Sequence, residues 1–252
     1  MNNNSDKPIS RGSRAIDLQE RFPSAIAHFW SARRQQMKEH QEAGRIDAES
    51  RDVVTCGTQM GALEVLVSDI LMTAGLDELH IHMRTALELP GYYRPEKKWD
   101  LLAVAGESLV CALEFKSQVG PSFDNNVNNH AEEALGSATD LWTAYREGLL
   151  GYGPRPLLGY FFLLEDCPAV HHPVQNSQPY FKVDADFAGA SHAVRYELLC
   201  RRLIRERLYD TACLTLSTSD EPYAIHHPAD DLSIRFFAAE LHAAAVRIIN
   251  SR

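Results

Sequence analysis

The feature that most narrows the fold is a strand–helix–strand succession in the middle of the chain. LVCALEFK (109–116) reads as a strand, apolar almost to its end. Residues 130–147 read as a helix, because Ala131, Ala134, Leu135, Ala138, Leu141, Trp142 and Tyr145 recur at helical spacing. Asn129 and Gly148 suit its two caps, and Glu132 and Glu133 suit its positive end. LLGYFFLL (157–164) is an unbroken apolar strand. Two strands joined through a helix run parallel, and parallel strands lie in a sheet covered on both faces.

The rest of the chain supplies the covers. Helices are predicted over 17–43, 58–74, 190–208 and 231–249, with Gly44 and Gly75 as stops for the first two. Strands are predicted over 79–89, 99–104 and 212–217, with 90–98 as a Pro/Gly loop. AGES, between 99–104 and 109–116, makes those strands a hairpin. The expectation is a flexible N-terminal tail (1–16) and a single α/β domain (17–252) with a mixed central β-sheet flanked by helices.

Bulk properties exclude some classes. No apolar run approaches the ~20 residues of a membrane helix, and the first residues lack the apolar stretch of a signal peptide. The five cysteines are scattered without a CxxC pair, which points to free thiols in a reducing cytoplasm. A net charge of −9 argues against unspecific coating of nucleic acid or anionic membranes. It leaves room for a nucleic-acid enzyme with carboxylates around a metal.

The chemistry gathers in the hairpin. Residues two apart in a strand share a face, so Glu114 and Lys116 lie together at the end of a buried strand. Charges there must be paired, bind an ion or emerge at an open end. With Val104 and Leu109 flanking the turn, Asp100 comes opposite Leu113 and Glu114. Two carboxylates beside an ammonium suit Mg²⁺ or Mn²⁺. A structural Glu–Lys pair beside an Asp is the alternative.

A polar loop follows: Ser122, Asp124, Asn125, Asn126, Asn128, Asn129 and His130 are DNA-contact candidates. Asparagine pairs with adenine and donates to phosphate, and equally it serves turns and caps. Glu64, beside the apolar stripe of helix 58–74, is either a further ligand or a boundary residue. Tyr92, Tyr93, Arg94, Lys97 and Lys98 are a second set of possible contacts. Arg195, Arg201, Arg202, Arg205 and Arg207 form either a phosphate track or a solvated helix face. The histidines show no zinc spacing.

Asp100 with Glu114-Phe115-Lys116 matches the PD-(D/E)XK nuclease pattern. The runs LPGYYRPEKKWDLL (89–102), LEFKSQVGPSFDNNVNNHAEEALGSATDLWTAYREG (113–148), EDCP (165–168) and DFAGASHAVRYELLCRRLIRERLY (186–209) closely resemble the XhoI family of type II restriction endonucleases. The resemblance spans roughly 58–214. It implies a PD-(D/E)XK restriction-endonuclease-like core in a homodimeric, Mg²⁺-dependent enzyme that cuts both strands of a palindromic DNA duplex. For close relatives the implied site is CTCGAG with 5′ overhangs, leaving a 5′-phosphate and a 3′-hydroxyl. It implies Asp100 and Glu114 as metal ligands, Lys116 as the residue that orients or helps deprotonate water, and a cognate methyltransferase that protects the host. Trp99 replaces the superfamily proline, and Asp124 and His130 stand where a small residue and an arginine are expected. The latter two bear on the recognition sequence. Other PD-(D/E)XK nucleases of repair, and a non-catalytic DNA-binding protein, remain as alternatives.

Overall fold

The computed structural model describes residues 16–42, 52–123, 126–151, 153–178 and 180–251. The elements in chain order are α1 (Leu18–Glu42), α2 (Asp52–Thr73), β1 (Ile81–His82), β2 (Glu88–Pro90), β3 (Glu96–Lys98), β4 (Leu101–Ala105) and β5 (Ser108–Gln118). Then come α3 (Asn126–Arg146), β6 (Leu157–Glu165), α4 (Pro168–His171), α5 (His192–Arg205), β7 (Thr211–Ser217), β8 (Ile225–His226) and α6 (Ile234–Asn250).

Six strands form one mixed sheet in the order β1-β4-β5-β6-β7-β8, and β2 and β3 pair separately as a small ribbon. β5, β6 and β7 run parallel, whereas β4 is antiparallel to β5. The restriction-endonuclease-like arrangement expected from the sequence is present. One face of the sheet packs on α1, α2 and α6 through Phe29, Leu63, Leu71, Phe161, Phe237 and Leu241. The other packs on α3 and α5 through Ala138, Leu141, Tyr160, Phe162, Tyr196 and Cys200. β6 is buried through Leu164, which explains its unbroken apolar sequence. Gly159 belongs to this close packing, since a Cβ there would lie 2.5 Å from Leu113 Cδ2 and 3.3 Å from the Phe237 ring.

Ser233 and Ser191 cap α6 and α5 by accepting the backbone N–H groups of Phe236 and Val194. Residues 1–15 of the expected tail lie outside the described residues; Ile16 packs against the first core. Among the described residues no helix is long and apolar enough to cross a membrane. Cys111, Cys200 and Cys213 are buried free thiols, and burial pushes those of Cys111 and Cys213 up to about 12.

Several boundaries differ from expectation, among them the start of α2, at Asp52 rather than residue 58. The stretch 79–89 is not one strand: its regular pairing is confined to β1 and the start of β2, with Ala86 at φ 56° between them. The expected loop 90–98 is largely the β2–β3 ribbon, in which Glu88 pairs with Lys98 and Pro90 with Glu96. Helix α3 begins at Asn126, four residues early. Buried Val127 extends the stripe of Ala131 and Ala134 backwards by a turn, and the asparagines cost only tenths of a kcal/mol each. Asn129 is therefore inside the helix and not its cap.

Candidate active site

The sheet register delivers the first carboxylate. A bulge between Ala103 and Val104 shifts the pairing of β4 with β5 by one residue, so Leu101 pairs with Leu113. Asp100, one step before β4, then reaches the level of Glu114. Its N–H donates to the Leu113 carbonyl at 3.2 Å. Its Oδ2 accepts the Phe115 N–H at 2.7 Å.

Glu114 is 3% exposed and held from three sides. The Tyr209 hydroxyl donates to its Oε2 at 3.0 Å. Lys97 Nζ and Lys116 Nζ lie 3.3 and 3.4 Å from its Oε1. Lys116 also meets Glu133 Oε2 at 2.9 Å. Burial works against the Lys116 charge, but Glu114 and Glu133 outweigh it and lift the ammonium above its usual range. Lys97 sits 4.5 Å over the Trp99 ring, which is itself buried. The residue that departs from the superfamily proline thus supports a cation of the site.

Helix α2 brings Glu64, 8% exposed, into electrostatic reach of Asp100. Burial, then repulsion from Asp100, raises its carboxyl to about 7, against a weaker pull from Arg84. Burial also raises Asp100, opposed by the Phe115 N–H and reinforced by Glu114. Glu64 holds its proton more tightly folded than unfolded, so its contribution to stability is complete below about 4.5 and is lost as pH rises through about 7. That difference corresponds to about 3 kcal/mol. In the presence of EDTA, Glu64→Gln is expected to unfold at higher urea than wild type at pH 8, with the difference closing as pH falls below about 4.5. A pH-independent difference would contradict this assignment.

The loop after β5 is pinned. Gly120 N–H donates to Glu165 Oε2 at 2.8 Å, and the Ser122 carbonyl accepts from Gln118 Nε2 and Asn126 Nδ2 at 3.1 and 2.9 Å. Ser122 is exposed, and Asn128 and Asn129 are exposed on the first turns of α3. Asp124 and Asn125 lie outside the described residues. His130 is turned inward: its Nδ1 is 2.8 Å from the Tyr196 hydroxyl and its ring meets Phe162 edge-on at 5.1 Å. Burial and then Lys116 push it down to about 4, so it is a neutral packing partner.

The structure therefore brings together Asp100, Glu114, Lys116 and Glu64, with Asn128 and Asn129 on the neighbouring helix. Sequence reasoning missed Tyr209 and the pairing role of Glu133. Tyr209 lies 95 positions from Glu114, and no local spacing announces it. Arg201 and Arg202 pair with Glu197, Asp231, Asp184 and Asp186, and so belong to the solvated-face alternative.

Among the described residues no three His, Cys, Asp or Glu side chains form a ready metal cluster. Asp100 and Glu114 nonetheless fit a hard divalent ion. Mg²⁺ takes one or two protein carboxylates and fills its remaining positions with water and substrate phosphate. Burial raises Asp100 and Glu64 first and the repulsion between neighbouring carboxylates adds to it, and a bound cation would offset both.

A mixed sheet that presents Asp, then Glu-x-Lys, at the end of two adjacent strands defines a restriction-endonuclease-like core. The chain belongs to the XhoI family of restriction endonucleases, whose family model matches residues 39–225. It is 42% identical over 209 residues to the type II restriction enzyme BstVI of Geobacillus stearothermophilus, covering 80% of this chain and 93% of that one. It is 45% identical over 195 residues to the type II restriction enzyme XhoI of Xanthomonas vasicola, covering 75% and 78%. AbrI of Azospirillum brasilense, also a type II restriction enzyme, is 44% identical over 167 residues, covering 66% and 75%. A search of the solved structures finds no match. The protein is thus an endonuclease that cleaves DNA.

Proposed function

We propose that the protein is a Mg²⁺-dependent type II restriction endonuclease that cuts both strands of a palindromic duplex, CTCGAG, leaving 5′ overhangs with 5′-phosphate and 3′-hydroxyl ends. The observation that carries this is the convergence of Asp100, Glu114 and Lys116 at the end of adjacent strands, beside an open groove lined by Glu114, Lys116, Lys97 and the exposed face of α3.

Asp100 and Glu114 would hold the ion, which when bound polarises the scissile phosphate and makes a water more acidic. Tyr209 and Lys97 fix the Glu114 carboxylate and neutralise it until substrate arrives. Lys116 is held protonated between Glu114 and Glu133. It therefore acts as a donor that orients the water and offsets charge on the phosphate, rather than as the base. Ser122, Asp124, Asn125, Asn126, Asn128 and Asn129 remain the proposed DNA-contacting segment; His130, neutral and packed on Tyr196 and Phe162, supports the helix that carries it. Two chains as a homodimer supply the two sites a palindrome needs. A methyltransferase in the same cytoplasm would protect the host genome.

Digestion of a sequenced plasmid with Mg²⁺, followed by sequencing of the fragment ends, tests this reading. The expected result is discrete fragments whose ends all fall within CTCGAG with a fixed 5′ stagger. A smear, or cuts confined to branched structures, would reassign the protein to another nuclease role.

A further inference from the structure

We propose that the tip of the β2–β3 ribbon, Tyr92 to Arg94, grips the sugar–phosphate backbone of the duplex, and that Asp140 of α3 is the residue that positions it. The inference rests on the nuclease reading above and adds a binding element to it.

The anchoring is unusually complete. Asp140 lies in the middle of α3 with only 3% of its surface exposed. Its Oδ1 accepts the backbone N–H groups of Tyr92 and Tyr93, both at 2.8 Å. Its Oδ2 accepts Arg94 Nε at 2.7 Å. Three consecutive residues of a turn thus converge on one buried carboxylate, and charge-assisted bonds of this kind are the strong ones. Burial alone would raise the Asp140 carboxyl, yet Tyr93, Arg94 and Tyr92 hold it below its usual value. Gly91 completes the fit. A Cβ at that position would lie 2.6 Å from both the Arg94 carbonyl oxygen and Asp140 Oδ2, so no larger residue can pass there without moving the turn.

What this anchor holds is not a core. Tyr92 and Tyr93 pack edge to face at 5.0 Å and remain 50% and 70% exposed. The Arg94 side chain, although bonded through Nε, is 43% exposed. Fixing two large aromatic rings in solvent gains little for folding, whereas rigid tyrosines are efficient contact residues. Their setting names the partner. Tyr93, Arg94 and Lys97 form one wall of the groove that also contains Glu114 and Lys116, and the α3 wall carries Glu132 and Glu133. A polyanion entering this groove meets cation and hydroxyl on the ribbon side and carboxylates on the other. Tyrosine hydroxyls and an arginine donate to phosphate oxygens and fix a duplex without reading its sequence.

The test uses the full chain and a fluorescein-labelled duplex containing CTCGAG, with binding followed by anisotropy in EDTA so that no strand is cut. Wild-type cleavage with Mg²⁺ is measured in parallel. Tyr92→Ala/Tyr93→Ala is expected to weaken binding at least tenfold. Asp140→Ala is expected to weaken binding similarly and to speed hydrogen exchange of the Tyr92 and Tyr93 amides, while exchange in β5 and β6 stays slow. A Kd for the tyrosine variant less than tenfold above that of wild type overturns the proposal, and this variant decides even if Asp140→Ala does not fold. Faster amide exchange in Asp140→Ala with wild-type binding overturns the positioning role. A wild-type protein that binds the duplex but does not cut it sinks the nuclease reading and leaves the binding comparison intact. A wild type that does not bind overturns both.

Discussion

Lys116→Ala is expected to cut DNA about a hundred- to a thousandfold more slowly than wild type, the loss typical of one preorganised group that stabilises developing charge. Lys116 Nζ stands 2.9 Å from Glu133 and 3.4 Å from Glu114, so its position is fixed before substrate arrives. Its raised pKa keeps it charged throughout the neutral range, and the pH–rate profile of wild type should show no Lys116 limb below pH 9. The fold should survive, because the side chain is 27% exposed at the end of the sheet and Glu114 keeps Lys97 and Tyr209. Lys116→Arg should not restore the rate, since a planar fork cannot take the place of a compact ammonium between two carboxylates. Single-turnover cleavage of a duplex, with anisotropy confirming equal binding, measures the effect. A rate within tenfold of wild type would remove Lys116 from the mechanism.

Phe161→Ala is expected to lose about 3–5 kcal/mol of stability, the range for emptying a large buried aromatic site. Phe161 is 1% exposed on the central strand β6. Its ring meets Phe115 at 5.4 Å, Phe237 at 6.3 Å and Phe22 at 6.4 Å, joining β5, α6 and α1. No neighbour can close the cavity without leaving another contact. Because Phe115 lies between Glu114 and Lys116 and its N–H bonds Asp100, loosening this cluster should reach the site as well. Urea unfolding gives the stability change. A loss below 1.5 kcal/mol would mean that the first core is not packed around Phe161.

The parts of this fold legible in sequence are those set by periodicity. The β5–α3–β6 crossover follows from an alternating strand, a helical stripe and an unbroken apolar run, and all three are present. The convergence of Asp100 with Glu114 was readable to within one residue. The missing residue is the bulge at Ala103 and Val104, which neither alanine nor valine signals. Helix α3 starts earlier than an Asn129 cap predicts, because the burial of Val127 carries it back to Asn126. Long-range partners have no local signal: Tyr209 and Glu133 pair with Glu114 and Lys116 through tertiary packing, as does the Tyr196 contact that draws His130 inward, whereas Glu64 is a candidate from its place beside a helical stripe. The ribbon tip reads as a Pro/Gly loop in sequence because its anchor, Asp140, lies 46 to 48 positions away.

We propose that a divalent ion held by Asp100 and Glu114 drives strand cleavage. The most direct test is digestion of one plasmid in three parallel reactions: wild type with Mg²⁺, wild type with EDTA, and Asp100→Ala with Mg²⁺. Discrete fragments in the first reaction and intact plasmid in the other two is the predicted result. Cutting by wild type in EDTA, or equal cutting by Asp100→Ala, would contradict it.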